Sequence, residues 1–344
     1  MKLDMMVSAA PLRQIQQLAK DAAAAGFDGL VITEAGRTAY LSCAAAALAA
    51  DIDLATGIAV AFPRSPMVTA ATAWELADTT KGRFRLGIGT QVRAHITRRY
   101  GSEYEPPGPR LREYVLAVKH CFEAFRLRTP LNFDGRWWKL SLLPDQWSPG
   151  PIAVADPPVD VAAVNPWMLR MAGSVADGIH VHPLNTPTYL SETVLPELAV
   201  GARQSGRQRK ELQVIVPCFT AVGDTDEEIN RWREHARFQI AFYGSTPNYS
   251  FIFDQVGFDG TTARLREKQK AGDFAGMASV ISDDLLEHFV VTSDWNDLGS
   301  KLLERFQGRA DRVVLYFAGA AWSDDPESLK KWSPVAAEVA ANRQ

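Results

Sequence analysis

The chain has 344 residues, 47% of them hydrophobic, and a formal net charge of −3. That is enough apolar material for a sizeable core, and the charge balance excludes a binder of nucleic acid or anionic membrane that works through bulk positive charge. The three cysteines (Cys43, Cys121, Cys218) lie far apart in apolar contexts, which predicts buried free thiols and neither a disulfide framework nor a CxxC metal site. MKLDMMVSAAPLRQ has no secretory apolar region or cleavage site, and no run of 18 apolar residues occurs, so a cytoplasmic protein without a membrane span is expected.

In chain order, short apolar runs alternate with helical periodicity. Leu3–Ser8 reads as a strand. Leu12, Ile15, Leu18, Ala19 and Ala22 repeat at helical spacing, and Gly26 is placed to end that helix. Leu30–Thr33 is a second strand, Tyr40–Ala50 a helix and Ile52–Val60 a third strand. Pro66–Thr79 opens with proline at the first helical position, and Phe84–Ile88 is a fourth strand. Arg110–Phe125 is amphipathic, with Leu111, Tyr114, Val115, Val118 and Phe122 on one face. Leu131–Leu143 carries Asp134-Gly135 between aromatic and apolar arms, a hairpin signal.

Val159–Ala163 and Ile179–His182 then supply strands five and six, around a helix that starts at Asn165-Pro166. Asparagine is a good N-cap and proline suits the first turn, so a helix N-terminus favourable to an anion is predicted at the end of strand five. Tyr189–Arg203 reads as a helix and Leu212–Val222 as strand seven. Helical pieces follow at Glu227–Tyr243 and Ala263–Gln269, then a helix at Trp295–Phe306, strand eight at Arg312–Phe317 and a terminal helix from Trp332. Eight strand–helix units predict one TIM barrel over residues 1–344, with insertions after strands four and seven (about 92–158 and 224–292); a doubly wound open sheet is the alternative.

Barrel chemistry sits at the carboxyl ends of the strands. That rule selects Ser8, Glu34, Gly57-Ile58, Gly89-Thr90-Gln91, Asn165, His182, Pro217 and Gly319. Gly87 and Gly89 lack the remaining glycine of a dinucleotide fingerprint and any phosphate-loop lysine, so alone they read as close-packing residues. His180 and His182 lie two apart on one strand and share a face. A metal needs three or four ligands and none accompanies the pair, so one histidine is expected in the pocket and the other deeper in the barrel. Tyr40, Phe62, Tyr104, Trp137, Trp138, Phe251 and Phe253 stand in or beside loops, where they serve either as core or as walls for a flat aromatic cofactor.

From Asp53 to Gln91 the chain reads DLATGIAVAFPRSPMVTAATAWELADTTKGRFRLGIGTQ, and from Ala162 to Pro183 AAVNPWMLRMAGSVADGIHVHP. With the hairpin NFDGRWWKL, these stretches resemble the luciferase-like monooxygenase superfamily. Within it they resemble the coenzyme F420 (deazaflavin)-dependent oxidoreductases related to methylenetetrahydromethanopterin reductase. The resemblance runs from about Leu3 to Phe317. It implies a non-prolyl cis peptide at Gly57-Ile58 behind a flavin-like ring, and cofactor contacts at Glu34, Gly57, Ile58, Val60, Thr90, Gln91, His95, Val164, Asn165 and Pro166.

The chain departs from the sugar-phosphate dehydrogenases of that family. Ala35 stands where they have a histidine and Val92 where they have a glutamate, and His182 and Asn185 stand where they grip a phosphate. The resemblance therefore implies a cytoplasmic oxidoreductase that acts on a small molecule other than glucose 6-phosphate, as a dimer where it follows the family. His182 and then Glu34 are the acid/base candidates, His182 because histidine titrates near neutral pH. Arg93, Arg98 and Arg99 are available to a longer anionic cofactor tail. The alternatives are an FMN-dependent monooxygenase on the same barrel, a metal-dependent hydrolase using His180 and His182, and a non-catalytic deazaflavin carrier.

Overall fold

The computed structural model describes residues 1–8 and 10–343. Among them, eight parallel strands close into a ring: β1 (Lys2–Val7), β2 (Gly29–Ile32), β3 (Asp53–Thr56), β4 (Phe84–Gly89), β5 (Val159–Ala162), β6 (Gly178–His180), β7 (Gln213–Val222) and β8 (Arg312–Leu315). Each pairs with its successor, and β8 pairs back onto β1 through Lys2–Arg312 to Met5–Leu315. Helices between the strands cover the outside, so the chain is a TIM barrel.

Strand alternation explains why these runs are apolar on both faces. Leu3, Met5, Leu30, Ile32, Leu86, Ile88, Val159, Val161, Val313 and Leu315 point outward into one large core beneath the helices. Met6, Val31, Ala55, Ile215 and Val314 form a separate small cluster inside the barrel. Below that inner layer the interior is charged. Arg312 donates to both oxygens of the fully buried Asp4 (2.6 and 2.7 Å) and to Asp53 (2.9 Å), which also takes Lys2 (2.7 Å). Arg85 grips both oxygens of the buried Asp160 (2.8 and 2.6 Å). Such charges survive burial because each is paired and hydrogen-bonded.

Side chains start several helices, and the cap at Asn165 is the one the sequence predicts. Ser65 caps Pro66–Thr79 through the Val68 N–H, Asn165 caps Pro166–Val175 through the Met168 N–H, and Thr225 caps Asp226–Gly244 through the Glu228 N–H. All three cysteines are buried free thiols. No helix among the described residues is long and apolar enough to cross a membrane.

Some boundaries differ from the sequence reading. The run Ile52–Val60 is two strands, Asp53–Thr56 and Ala59–Val60, divided at Gly57-Ile58. The helix expected over Tyr40–Ala50 spans Ala39–Ala47. The helix expected over Arg110–Phe125 spans Pro107–Leu127. Strand six stops at His180 and strand eight at Leu315; Gly319 lies in the helix Ala318–Asp324, where a Cβ would sit 2.3 Å from the Met6 carbonyl oxygen. The segment after β7 holds five α-helices and an unforeseen strand, Val290–Ser293, which pairs with Phe219–Val222. That strand was hidden because its apolar run is only Phe289-Val290-Val291 before the polar Thr292 and Ser293.

Replacing Arg312 with leucine leaves Asp4 buried and unpaired. Urea unfolding should show a loss of about 3–5 kcal/mol, and a loss under 1 kcal/mol would remove the network from any role in stability.

Candidate active site

The register between β3 and β4 locates the main irregularity. Ala55 faces Arg85, but Ala59 faces Ile88, so β3 spends four residues where β4 spends three. This is a one-residue bulge, and bulges recur beside active sites. Gly57-Ile58 lies in it, and the peptide bond between them is cis, where the family resemblance places one. Thr56 Oγ1 closes the interrupted ladder: it donates to the Gly87 carbonyl (2.7 Å) and accepts from the Gly87 N–H (2.9 Å).

Glu34, at the end of β2, fastens the far side of the bulge. Its Oε2 accepts from the Val60 N–H (2.7 Å) and from Arg64 Nη1 (2.9 Å), and its Oε1 accepts from Arg64 Nη2 (2.5 Å). Its side chain is 4% exposed. Both oxygens are occupied by an arginine fork, and the carboxylate anchors the bulge. Val60 takes part through its backbone.

His180 and His182 do separate as expected. His180 is buried in the barrel between β3 and β4; a Cβ on Gly87 would lie 2.5 Å from its Nε2, and one on Gly57 would lie 3.6 Å from the ring. Position 87 must be glycine-small for this imidazole to fit, whereas at position 57 it is Val31 Cγ1, 2.1 Å from where a Cβ would sit, that leaves no room. Its Nε2 lies 3.9 Å from Asp160 Oδ2 and has no hydrogen-bond partner. His182, two residues on, is partly exposed. Its Nδ1 accepts from the Leu184 N–H (3.0 Å), which puts the neutral ring's proton on Nε2 as a donor. Burial pushes the His182 imidazole down to about 3 and that of His180 down to about 4. Burial thus favours the neutral ring, in which Nε2 carries the proton.

Asn185 does not face a substrate. It is buried, and its amide donates to the carbonyls of His182 (2.9 Å), Pro183 (3.2 Å) and Pro217 (2.9 Å). It holds the loop that carries His182. Pro217 likewise contributes only a carbonyl. Val164 is fixed by Tyr189, whose hydroxyl donates to its carbonyl (2.6 Å). Asn165, Pro166 and Trp167 are exposed at the start of their helix, and Trp167 presents an N–H at the open end. Thr90 is half-buried, and Gln91 adopts a left-handed φ of 54° with its own side chain accepting from the Val92 N–H. His95 is exposed in a short wide turn, His95–Arg99, with Arg98 and Arg99.

Of the loop aromatics, Phe253 is core, and Trp138 packs edge-on against Tyr114 with Arg110 over its ring. Phe62 is buried beneath Arg110 and meets the edge of Tyr104. The aromatic groups beside His182 are others: Tyr243 (ring centroids 4.8 Å) and Tyr249 (4.5 Å), with the Tyr316 hydroxyl bonded to that of Tyr243 at 2.6 Å. Tyr316 had a readable signal, since it continues the inward parity of Arg312 and Val314. Arg64, Tyr243 and Tyr249 had none, because the turn after β3 and the insertion after β7 bring them in.

A cavity of about 290 Å³ opens at the opposite, N-terminal mouth, lined by Lys2, Asp4, Asp53, Arg85 and Arg312 among others. Its charges are largely paired with one another, which makes it part of the structural network. Among the described residues no group of three or more His, Cys, Asp or Glu is arranged to hold a metal ion.

The family model described as luciferase-like monooxygenase matches residues 2–312. An uncharacterized protein of Mycobacterium tuberculosis is 36% identical over 308 residues, covering 88% of this chain and 91% of the relative. A 5,10-methylenetetrahydromethanopterin reductase of Methanolobus tindarius is 25% identical over 311 residues, covering 88% and 90%. Among solved structures, the coenzyme F420-dependent tetrahydromethanopterin reductase from Methanopyrus kandleri superposes with a TM-score of 0.78 at 20% identity, covering 100% of this chain and 99% of that one.

The two histidines make stability depend on pH. The unfolded imidazoles take protons near 6.5, while the folded ones stay neutral to about 4 and about 3. Between those values the unfolded state binds more protons, so stability is full above pH 6.5 and is lost as pH falls. The urea midpoint should drop from pH 7 to 4.5, and less steeply in a His180→Asn/His182→Asn variant. Equal slopes would contradict the assignment.

Proposed function

Because the chain belongs to the luciferase-like monooxygenase family, we propose that it is an F420-dependent oxidoreductase that transfers a hydride between a deazaflavin and an organic substrate. The observation that carries this reading is the one-residue bulge in β3, clamped by Glu34, Arg64 and Thr56 at the strand ends. The residues fit such a group. Gly57, Ile58 and Val60 would back the ring. Thr90, Gln91 and Val164 would border it, and the helix start at Asn165-Pro166 would take a phosphate. A bound deazaflavin supplies two electrons as a hydride and reacts poorly with oxygen, whereas FMN reacts with it readily.

The distribution of charge favours the deazaflavin, whose tail is the longer and more anionic. The loops after β2, β3 and β4, with the first turn of the helix Pro107–Leu127, carry Arg37, Arg64, Arg93, Arg98, Arg99 and Arg110 against Glu34, Glu103 and Glu105. Arg93 pairs with Glu105, Arg110 with Glu103, and Arg99 donates to the Ala35 carbonyl (2.7 Å). Arg98 and the exposed Arg37 are thereby left for an anionic tail. His95, on the same exposed turn, is a tail contact in this reading and not a ring contact. The protein's part in the chemistry is to hold the ring flat on the bulge, to exclude water with buried aromatics, and to present the His182 Nε2–H to the substrate.

Fluorescence titration of the full chain with F420 and with FMN tests the proposal. F420 should bind at least about tenfold more tightly. Its affinity should fall in Arg98→Glu and should weaken with salt. Tighter binding of FMN would replace this reading with the monooxygenase one.

A further inference from the structure

The mouth of the barrel is divided by charge. The side formed by the loops after β2, β3 and β4 is rich in arginine. The opposite side, after β6, β7 and β8, carries no charged residue from Val181 to Ser191, from Val214 to Gly223, from Phe242 to Phe253, or from Val313 to Ser323. These four stretches converge on His182. Tyr243 meets the His182 ring edge-on, Tyr249 packs at a tilt against it, and Tyr316 joins Tyr243 through the paired hydroxyls. Tyr316 also packs on the barrel's inner apolar layer, so this cluster stands directly above the interior of the barrel.

The polar groups here have a definite sense. His182 Nδ1 is occupied by the Leu184 N–H and the ring is neutral, so Nε2 is a donor, and no side chain or backbone group among the described residues accepts from it. Asn185, the amide nearest in sequence, is spent on three carbonyls. What these four stretches offer a ligand is therefore aromatic faces, one N–H donor and hydroxyls, and they supply no cation of their own to pair a carboxylate or phosphate. An anionic group placed here would lose its hydration without a counter-charge. A flat or ring-shaped molecule would find faces to lie on.

We propose that this aromatic side is the substrate subsite and that it selects an uncharged cyclic carbonyl compound, whose oxygen accepts from His182 Nε2. The proposal rests on the redox reading above for the reaction, but its binding half stands on the geometry of this side alone. In the reducing direction a bound reduced deazaflavin would supply a hydride to the carbonyl carbon, and the C=O π pair would move to oxygen. A proton from solvent would then complete the alcohol, leaving the deazaflavin oxidised by two electrons. The charge division separates the two halves of the mouth by what they hold. The arginine side takes an anionic tail, and the aromatic side takes a neutral ring.

A matched pair of probes tests this, 4-methylcyclohexanone against 4-oxocyclohexanecarboxylate, with dissociation constants read by ligand-observed NMR on the full chain, with and without F420. The neutral ketone should bind at least tenfold more tightly than the carboxylate. His182→Leu should weaken the ketone about tenfold while moving F420 affinity less than twofold, and Tyr249→Leu should weaken the ketone as well. Equal or tighter binding of the carboxylate overturns the proposal, as does an unchanged ketone affinity in a folded His182→Leu protein. If that variant does not fold, the preference of the unmodified protein between the two probes decides. Ketone binding without F420 binding leaves the subsite standing and removes the redox reading; F420 binding with no ketone preference does the reverse.

Discussion

The extra residue in β3 is the constraint on which the site depends. Once Ala55 faces Arg85 and Ala59 faces Ile88, the backbone between them cannot complete its ladder. Buried backbone polar groups must find other partners. Thr56 supplies them from below by bonding both the N–H and the carbonyl of Gly87, and Glu34 supplies one from the side by accepting from the Val60 N–H. Arg64 then neutralises Glu34, and Tyr40 lies beneath the Arg64 guanidinium at 5.0 Å. Residues from β2, β3, β4 and the turn before Pro66–Thr79 are in this way committed to one short irregular segment.

Beneath that segment the packing leaves little freedom. The His180 imidazole occupies space that a side chain at Gly87 would otherwise fill, Val31 does the same at Gly57, and Gly87 has the Thr56 carbonyl only 2.0 Å from where its Cβ would be. The glycines are thus accounted for by the histidine and by the bulge, with no need of a phosphate. Further down, Arg85 with Asp160 and Arg312 with Asp4 and Asp53 fill the barrel with paired charge. Well-packed apolar residues would often be at least as stable. Instead these forks tie β1 to β8 and β3, and β4 to β5, near the end remote from the site.

Above the bulge the two sides of the mouth differ in kind. Arginines dominate one, and neutral aromatic groups around His182 make up the other. Burial holds that histidine neutral and the Leu184 N–H sets its tautomer, so it presents one N–H over a wide pH range. Its ring packs against Tyr243 and Tyr249 and has no carboxylate partner among the described residues.

Local rules determined a good deal on their own. The alternation of apolar runs with 3.6-residue periodicity specified eight strands in order, because strands buried on both faces need continuous apolar stretches. Asn165-Pro166 specified a helix start, because capping is a property of a few adjacent residues. The motif around Gly57-Ile58 located the cis bond through family resemblance. Tertiary structure decided the rest. Whether Glu34 is a free acid depended on Arg64, thirty residues away, and whether His182 titrates depended on tyrosines at 243 and 249. The strand at Val290–Ser293 exists because Phe219–Val222 offers it an edge. Protonation, pairing and pocket walls are set by distances between distant segments, and those distances exist only once the barrel has closed.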